Sequence, residues 1–142
     1  MKFSELDDDT WAELQPFLDT ALLPVSGLSG GETPAEAAEK IGRTGDWLSP
    51  LEASFRGRTV TLPASHYDGD PAGGAARLEA LCASIKRQGY RHLIVVAGNG
   101  GWTEAQLPSA DMILQPQAAD EAPDPERIRQ AVTALWKRSS GA

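Results

Sequence analysis

Four short apolar runs along the chain predict the strands of one sheet. They are Thr20–Val25 (TALLPV), Thr59–Leu62 (TVTL), His92–Ala97 (HLIVVA) and the apolar centre of Ala110–Pro116 (ADMILQP). The third run is continuously apolar from Leu93 to Ala97 and leads straight into glycines, which is the pattern of a parallel strand buried on both faces. Proline or glycine closes most of these short runs, as expected for strands.

Helical spacing of apolar residues fills the intervals between these runs. An N-terminal helix is predicted within residues 1–18, with Thr10 and Glu13 as its capping box. A second helix begins at Thr33, which is followed by proline and by Glu36 as the reciprocal capping residue. Two further helices complete the set, one through Leu78–Ile85 that stops at Gly89 and one that Asp124 caps and Pro125 opens.

Two details of the chain remain open at this level. Gly42 and Gly45 each cost about 1 kcal/mol relative to alanine in a helix, so the second helix is open to a break beyond Lys40. The segment Leu51–Leu62 is either a loop into one strand or a hairpin that turns at Arg56–Gly57. Because Arg-Gly is a poor match to the preferred two-residue turns, we favour the single strand.

The alternation of strands and helices predicts a three-layer α/β fold with a mainly parallel sheet of about four strands, flanked by helices. We expect one domain over residues 1–142. Residues 115–124 are acidic and contain proline, and are interpreted as a linker to the last helix. Residues 139–142 are interpreted as a flexible tail.

Charge narrows the classes of partner. The 142 residues carry a net charge of −7 and the pI is near 4.7, which argues against a nucleic acid or an anionic membrane as the main partner. The single cysteine, Cys82, has helical spacing with Leu78 and Ile85 and is interpreted as a core residue. The acidic N-terminal residues do not resemble a signal peptide, so we expect a cytoplasmic protein.

Two glycine-rich loops are the strongest candidates for a binding site. SGLSGGET follows the first strand and GNGGWT follows the third, so both loops should open at one edge of the sheet. Glycine lets a ligand approach main-chain N–H groups, and an anion is the expected guest. The candidate ligand-binding residues are Ser29, Gly30, Gly31, Gly98, Asn99, Gly100, Gly101 and Trp102.

A catalytic or metal site has less support in the sequence. His66, Asp68 and Asp70 lie close together, but Asp-Gly-Asp-Pro is also ordinary turn chemistry and lacks the further acidic ligands of a calcium loop. We therefore assign no catalytic residue, no metal ligand and no cofactor. An enzyme that uses these three side chains remains an alternative, provided that they reach the crevice between the glycine loops.

Three blocks of the chain resemble the conserved blocks of the creatininase family: LLPVSGLSGGETP, TLPASHYDGD and GYRHLIVVAGNGG. The resemblance implies an α/β fold with two divalent metals at the carboxyl ends of the strands and hydrolysis of amide bonds. The metal-ligand positions of that family fall on Ser29, Gly31, Lys40, Asn99 and Gly101. These residues cannot supply a hydrolytic two-metal site, so the resemblance implies a core without the catalytic apparatus.

The whole chain also resembles a family of short bacterial proteins of unknown function, through the MKFS start, the LLPV segment and FRGRTVT at Phe55–Thr61. The leading functional hypothesis is a non-catalytic binding or interaction module, with Trp11 and Trp102 as anchors for a protein partner. One alternative is a site for a small anionic metabolite or nucleotide at the glycine loops. The other is a metal-dependent amidohydrolase with relocated ligands.

Overall fold

A computed structural model describes residues 1–140 of the chain. Within that part, four strands and four α-helices follow a short 3-10 turn at Phe3–Glu5, and they alternate except that β4 follows β3 with no helix between them. The elements in chain order are α1 (Asp8–Leu14), β1 (Thr20–Pro24), α2 (Pro34–Ser54), β2 (Thr59–Thr61), α3 (Gly74–Lys86), β3 (His92–Val96), β4 (Met112–Leu114) and α4 (Pro125–Ser140).

The four strands form one parallel sheet in the order β2-β1-β3-β4. Thr20 of β1 pairs with Thr59 of β2 on one side and with His92 of β3 on the other. The predicted three-layer α/β fold with a parallel sheet of four strands is therefore confirmed. The parallel pairing of β2 with β1 also excludes the hairpin and confirms the single strand in this region.

Each face of the sheet carries its own hydrophobic core, because alternate residues of the buried strands point to opposite sides. Leu23 and Val95 pack with Leu78 and Cys82 of α3 on one face. On the other face, the intervening strand residues pack with both remaining long helices. This second core contains Leu22, Ile94, Val96, Leu114, Trp47, Leu48, Leu51, Ile128, Val132 and Leu135.

Helix α2 is continuous over 21 residues, so the break considered beyond Lys40 does not occur. Its predicted capping box is present, with Thr33 and Glu36 bonding to each other's main chain. Gly42 and Gly45 lie on the exposed side of the helix, whereas Trp47 and Leu51 are buried against the sheet. Burial of these apolar side chains outweighs the propensity cost of two glycines. The helix also includes Leu51–Ser54, which was predicted to be part of a loop.

One predicted helix boundary was wrong. Asp7, and not Thr10, caps α1, since the Asp7 carboxylate accepts a hydrogen bond from the Thr10 main-chain N–H at 2.8 Å. At the other end of the chain, α4 extends to Ser140, and the flexibility of the tail at residues 139–142 stays a prediction. The rest of that predicted tail, residues 141–142, lies outside the described residues.

The second half of α2 should depend on burial and not on intrinsic propensity. Leu51→Ala removes a side chain with no exposed surface and is expected to lower the free energy of unfolding by about 2–5 kcal/mol. Ile41→Ala on the same helix, at a side chain that is 42% exposed, should change it by about 0.5 kcal/mol or less. Urea denaturation followed by circular dichroism measures both, and equal effects would contradict the packing described for α2.

Candidate functional site

The two predicted glycine loops leave the sheet at the same edge, from neighbouring strands. The first glycine loop (residues 26–33) follows β1, and the second glycine loop (residues 98–101) follows β3, which pairs in parallel with β1. The chain adds β2 on one side of β1 and β3 on the other, so the strand order reverses between β1 and β3. In open α/β sheets, this reversal is where a ligand crevice is expected.

Asn99 fills that crevice. Its Nδ2 donates to the main-chain oxygen of Ser26 at 2.8 Å and to that of Lys40 at 2.9 Å. Two carbonyl acceptors fix the orientation of the amide, because the flipped form would place its oxygen against both of them. The side chain therefore joins the ends of β1 and β3 to helix α2. Its Oδ1 is buried without a hydrogen-bond partner among the described residues.

Gly98 brings the second glycine loop against the main chain of α2. A Cβ atom at this position would lie 2.5 Å from both Cα and N of Thr44, which no side chain can occupy without moving the backbone. Thr44 is itself fixed, since its hydroxyl donates to the main-chain oxygen of Val25 at 3.2 Å. Only glycine permits this approach of loop and helix.

The first glycine loop binds a carboxylate of its own chain. The main-chain N–H groups of Ser29 and Gly30 donate to the Glu32 carboxylate at 2.9 Å each, and the Ser29 hydroxyl donates at 3.0 Å. Lys40 Nζ adds an ion pair at 3.1 Å. These hydrogen bonds, led by the one from Ser29, lower the pKa of Glu32 to about 2. Donors that were predicted to face an external anion thus already hold an internal one.

An open cavity lies on the other side of the second glycine loop, with a volume of about 480 Å³. Three parts of the chain enclose it: the middle of α2, the second glycine loop and residues 116–123 after β4. Of the eight predicted site residues, four line this cavity, namely Gly98, Asn99, Gly100 and Gly101. Ser29, Gly30, Gly31 and Trp102 do not belong to its lining.

Trp102 has a structural role. It is half-buried and packs against the core on the α3 face. The Gln115 side chain accepts from the Trp102 main-chain N–H at 3.0 Å and donates to its main-chain oxygen at 2.7 Å. This pair of hydrogen bonds fixes the end of the second glycine loop beside the end of β4.

Residues 116–123 form a wall of the cavity, although the sequence suggested only a linker. The Gln117 N–H donates to the Glu121 carboxylate at 2.8 Å, and the Glu121 N–H donates to the Ala118 oxygen at 3.2 Å. Asp120 between them has a φ of 61°, the one positive φ at a non-glycine residue in the described part of the chain. The order of elements in the sequence could have indicated this role, because the segment follows the carboxyl end of a predicted parallel strand, where ligand sites form.

The cavity carries charges of both signs and unused main-chain donors. Its ionisable residues are Arg43, Asp46, Asp120 and Glu121, and Arg43 is paired with Glu39. Across residues 1–140, the carboxylates of Asp46 and Asp120 accept no hydrogen bond and form no ion pair. The N–H groups of Gly98 and Gly101 likewise donate to no acceptor there.

His66 and Asp68 are engaged in fixing the first glycine loop. The Ser26 hydroxyl lies 2.9 Å from His66 Nδ1, and Asp68 Oδ1 accepts from the Gly27 N–H at 2.8 Å. Burial raises the pKa of Asp68. Although serine, histidine and aspartate meet here, Ser26 is only 2% exposed, so its hydroxyl holds the loop and is not accessible to a substrate.

The three side chains considered for an enzyme do not reach the cavity. His66, Asp68 and Asp70 are absent from its lining, and Asp70 pairs instead with Arg77. No group of three or more histidine, cysteine, aspartate or glutamate side chains in residues 1–140 is placed to hold a metal ion.

Residues 9–136 match a family described as "Protein of unknown function (DUF2487)". The chain belongs to this family. The match extends from α1 into α4 and so includes both glycine loops and all three parts that enclose the cavity. Neither the curated proteins nor the solved structures gave a match to the chain. No helix of this DUF2487 protein, in the part described, is long and apolar enough to cross a membrane.

The contact at Gly98 should not tolerate a methyl group. Gly98→Ala is expected to lower the free energy of unfolding by about 1–3 kcal/mol, because the new Cβ overlaps the Thr44 main chain. Gly45→Ala provides the control, since a Cβ there meets no atom within 4 Å and alanine should stabilise the helix by up to about 1 kcal/mol. Thermal unfolding compares the two, and a stable Gly98→Ala protein would contradict the close approach.

The Glu32 contact predicts a pH dependence. Since the pKa of Glu32 falls from 4.5 to about 2 on folding, its carboxylate stabilises the protein above pH 4.5, and this contribution is lost as the pH falls towards 2. Glu32→Gln should therefore lower the melting temperature at pH 7, and the difference from the unsubstituted protein should shrink at lower pH. Glu104→Gln, at an exposed site, serves as the control. A constant difference at all pH values would contradict the assignment.

Proposed function

We propose that this DUF2487 protein is a non-catalytic module that binds a small molecule in the cavity beside the second glycine loop. The observation that carries the proposal is an open cavity at the carboxyl ends of β3 and β4, next to the β1–β3 crevice that Asn99 fills. Ligands of open α/β sheets bind outside the carboxyl ends of the strands. Its volume of about 480 Å³ lies in the range of roughly 300–1,000 Å³ that small-molecule sites occupy.

The construction of the cavity supports a binding role. Residues 116–123 are held by Glu121, and the second glycine loop is held by Asn99 and Gln115. Both walls are thereby fixed around a space whose lining residues include N–H groups and carboxylates without a partner in residues 1–140. Unpaired polar groups that face a prearranged cavity favour a ligand, because the ordering cost is met before binding.

A creatininase-like core without the catalytic apparatus is part of the proposal. That resemblance places metal ligands at the edge where the cavity lies. In this chain, Asn99 at one of those positions braces two strands and a helix, and Lys40 near another pairs with Glu32. Because Asn99 and Lys40 are used for these structural contacts, they support a core that keeps its shape at this edge but does not hydrolyse a substrate.

Filling the cavity tests the proposal. Ala119 lines the cavity and is exposed, so Ala119→Trp should occupy the space without disturbing either core. A metabolite library is screened by thermal shift, where a ligand at about 100 times its Kd adds about 2.7 kcal/mol of stability. We expect at least one compound to raise the melting temperature of the unsubstituted protein by several degrees and to leave that of Ala119→Trp unchanged.

The matched control is Ala53→Trp, which adds the same side chain to the exposed side of α2 outside the cavity lining. It should bind the same compound with unchanged affinity. A ligand that stabilises the unsubstituted protein and Ala119→Trp equally binds elsewhere, and that result would refute the proposed site.

A further inference from the structure

We propose that the cavity selects a ligand that carries a cationic amine together with a carbonyl or carboxylate oxygen, as in an amino acid or a short peptide. This inference rests on the proposed function and adds the chemical class of the ligand. It departs from the expectation of a purely anionic guest that the glycine loops suggest from sequence.

The carboxylates of the cavity point to a cationic group. Asp46 on α2 and Asp120 on residues 116–123 have no partner in the described part of the chain. Glu121 uses one oxygen for the Gln117 N–H. The only cation of the lining, Arg43, is already paired with Glu39. The lining is therefore net negative, which disfavours phosphates and nucleotides through like-charge repulsion.

A metal ion does not suit this arrangement. The carboxylates stand on two different walls, α2 and residues 116–123. In residues 1–140 no three acidic, histidine or cysteine side chains come close enough to share an ion. A divalent cation needs several oxygen ligands at 2.0–2.6 Å. An organic amine needs only one or two hydrogen-bond acceptors, and a longer ligand can contact both walls.

The second glycine loop supplies the complementary group. The N–H groups of Gly98 and Gly101 have no acceptor within residues 1–140, although both residues line the cavity. Main-chain N–H groups bind carbonyl or carboxylate oxygens, as in many sites that recognise the backbone of a peptide. The second glycine loop thus offers N–H donors, and α2 and residues 116–123 offer carboxylates. This combination matches a ligand that has both an amine and a carbonyl or carboxylate oxygen.

The experiment is a titration followed by ¹⁵N–¹H correlation spectra, in which the Gly98 and Gly101 amide signals report on the cavity directly. The probes are glycinamide, L-lysine and dilysine, with Nα,Nε-diacetyl-lysine and inorganic phosphate as comparisons. We expect at least one free amine to shift both glycine signals, with weaker binding as sodium chloride is raised. The acetylated compound, which has lost its positive charge, and phosphate should bind at least tenfold more weakly.

Substitutions assign the charge. Asp46→Asn and Asp120→Asn should each weaken amine binding roughly three- to tenfold, the range for loss of one charged contact. Glu13→Gln changes the net charge equally but lies on exposed α1, so its affinity should be unchanged. Circular dichroism of each variant checks that the fold is retained.

The outcomes separate this inference from the proposed function. Amine binding that neither Asp46→Asn nor Asp120→Asn weakens would overturn the inference. Tighter binding of phosphate or of the acetylated compound than of the amines would also overturn the inference. If Ala119→Trp abolished the binding of that preferred compound, the cavity would still be supported as the binding site. If no free amine shifts the glycine signals, the inference is wrong, and the metabolite screen with Ala119→Trp decides the proposed function independently.

Discussion

The contact between Gly98 and the main chain of Thr44 fixes the second glycine loop against α2 at the carboxyl edge of the sheet. Because no Cβ intervenes, the second glycine loop lies directly on α2, and Asn99 reaches across to Ser26 and Lys40. Together, the Gly98 contact and the Asn99 hydrogen bonds fix the end of β3 against the end of β1 and against helix α2. The same contacts set the position of the second glycine loop relative to α2, and these are two of the three parts that enclose the cavity.

The two glycine loops have different roles despite their similar composition. In the first, the Glu32 carboxylate accepts hydrogen bonds from the main-chain donors and forms an ion pair with Lys40. The donors of this loop and the charge of Glu32 therefore already have partners. In the second, glycine permits close packing at Gly98 and a positive φ at Gly101, and the N–H groups of these two residues have no acceptor within residues 1–140. Composition alone does not distinguish these cases, because the difference lies in which side chain folds back onto the loop.

The fold was largely predictable from the sequence and the site was not. Strands buried on both faces and the Thr33–Glu36 capping box are local patterns, and the structure contains them as expected. The continuity of α2 was missed because it depends on burial of Trp47 and Leu51 against strands that are distant in sequence. The wall formed by residues 116–123 was missed because an acidic, proline-containing segment has the composition of a linker, and only the sheet order brings it to the cavity.

Asn99 shows how stability and position are balanced at this edge. Its two hydrogen bonds each contribute about 1 kcal/mol, but its buried, unpaired Oδ1 costs about 1–3 kcal/mol, so the side chain adds little to stability in total. Asp120, with its positive φ, is a second residue that costs free energy at the same cavity. Since neither residue adds appreciably to stability while both cores are well packed, the arrangement is better explained by the placement of the loops than by the stability of the fold.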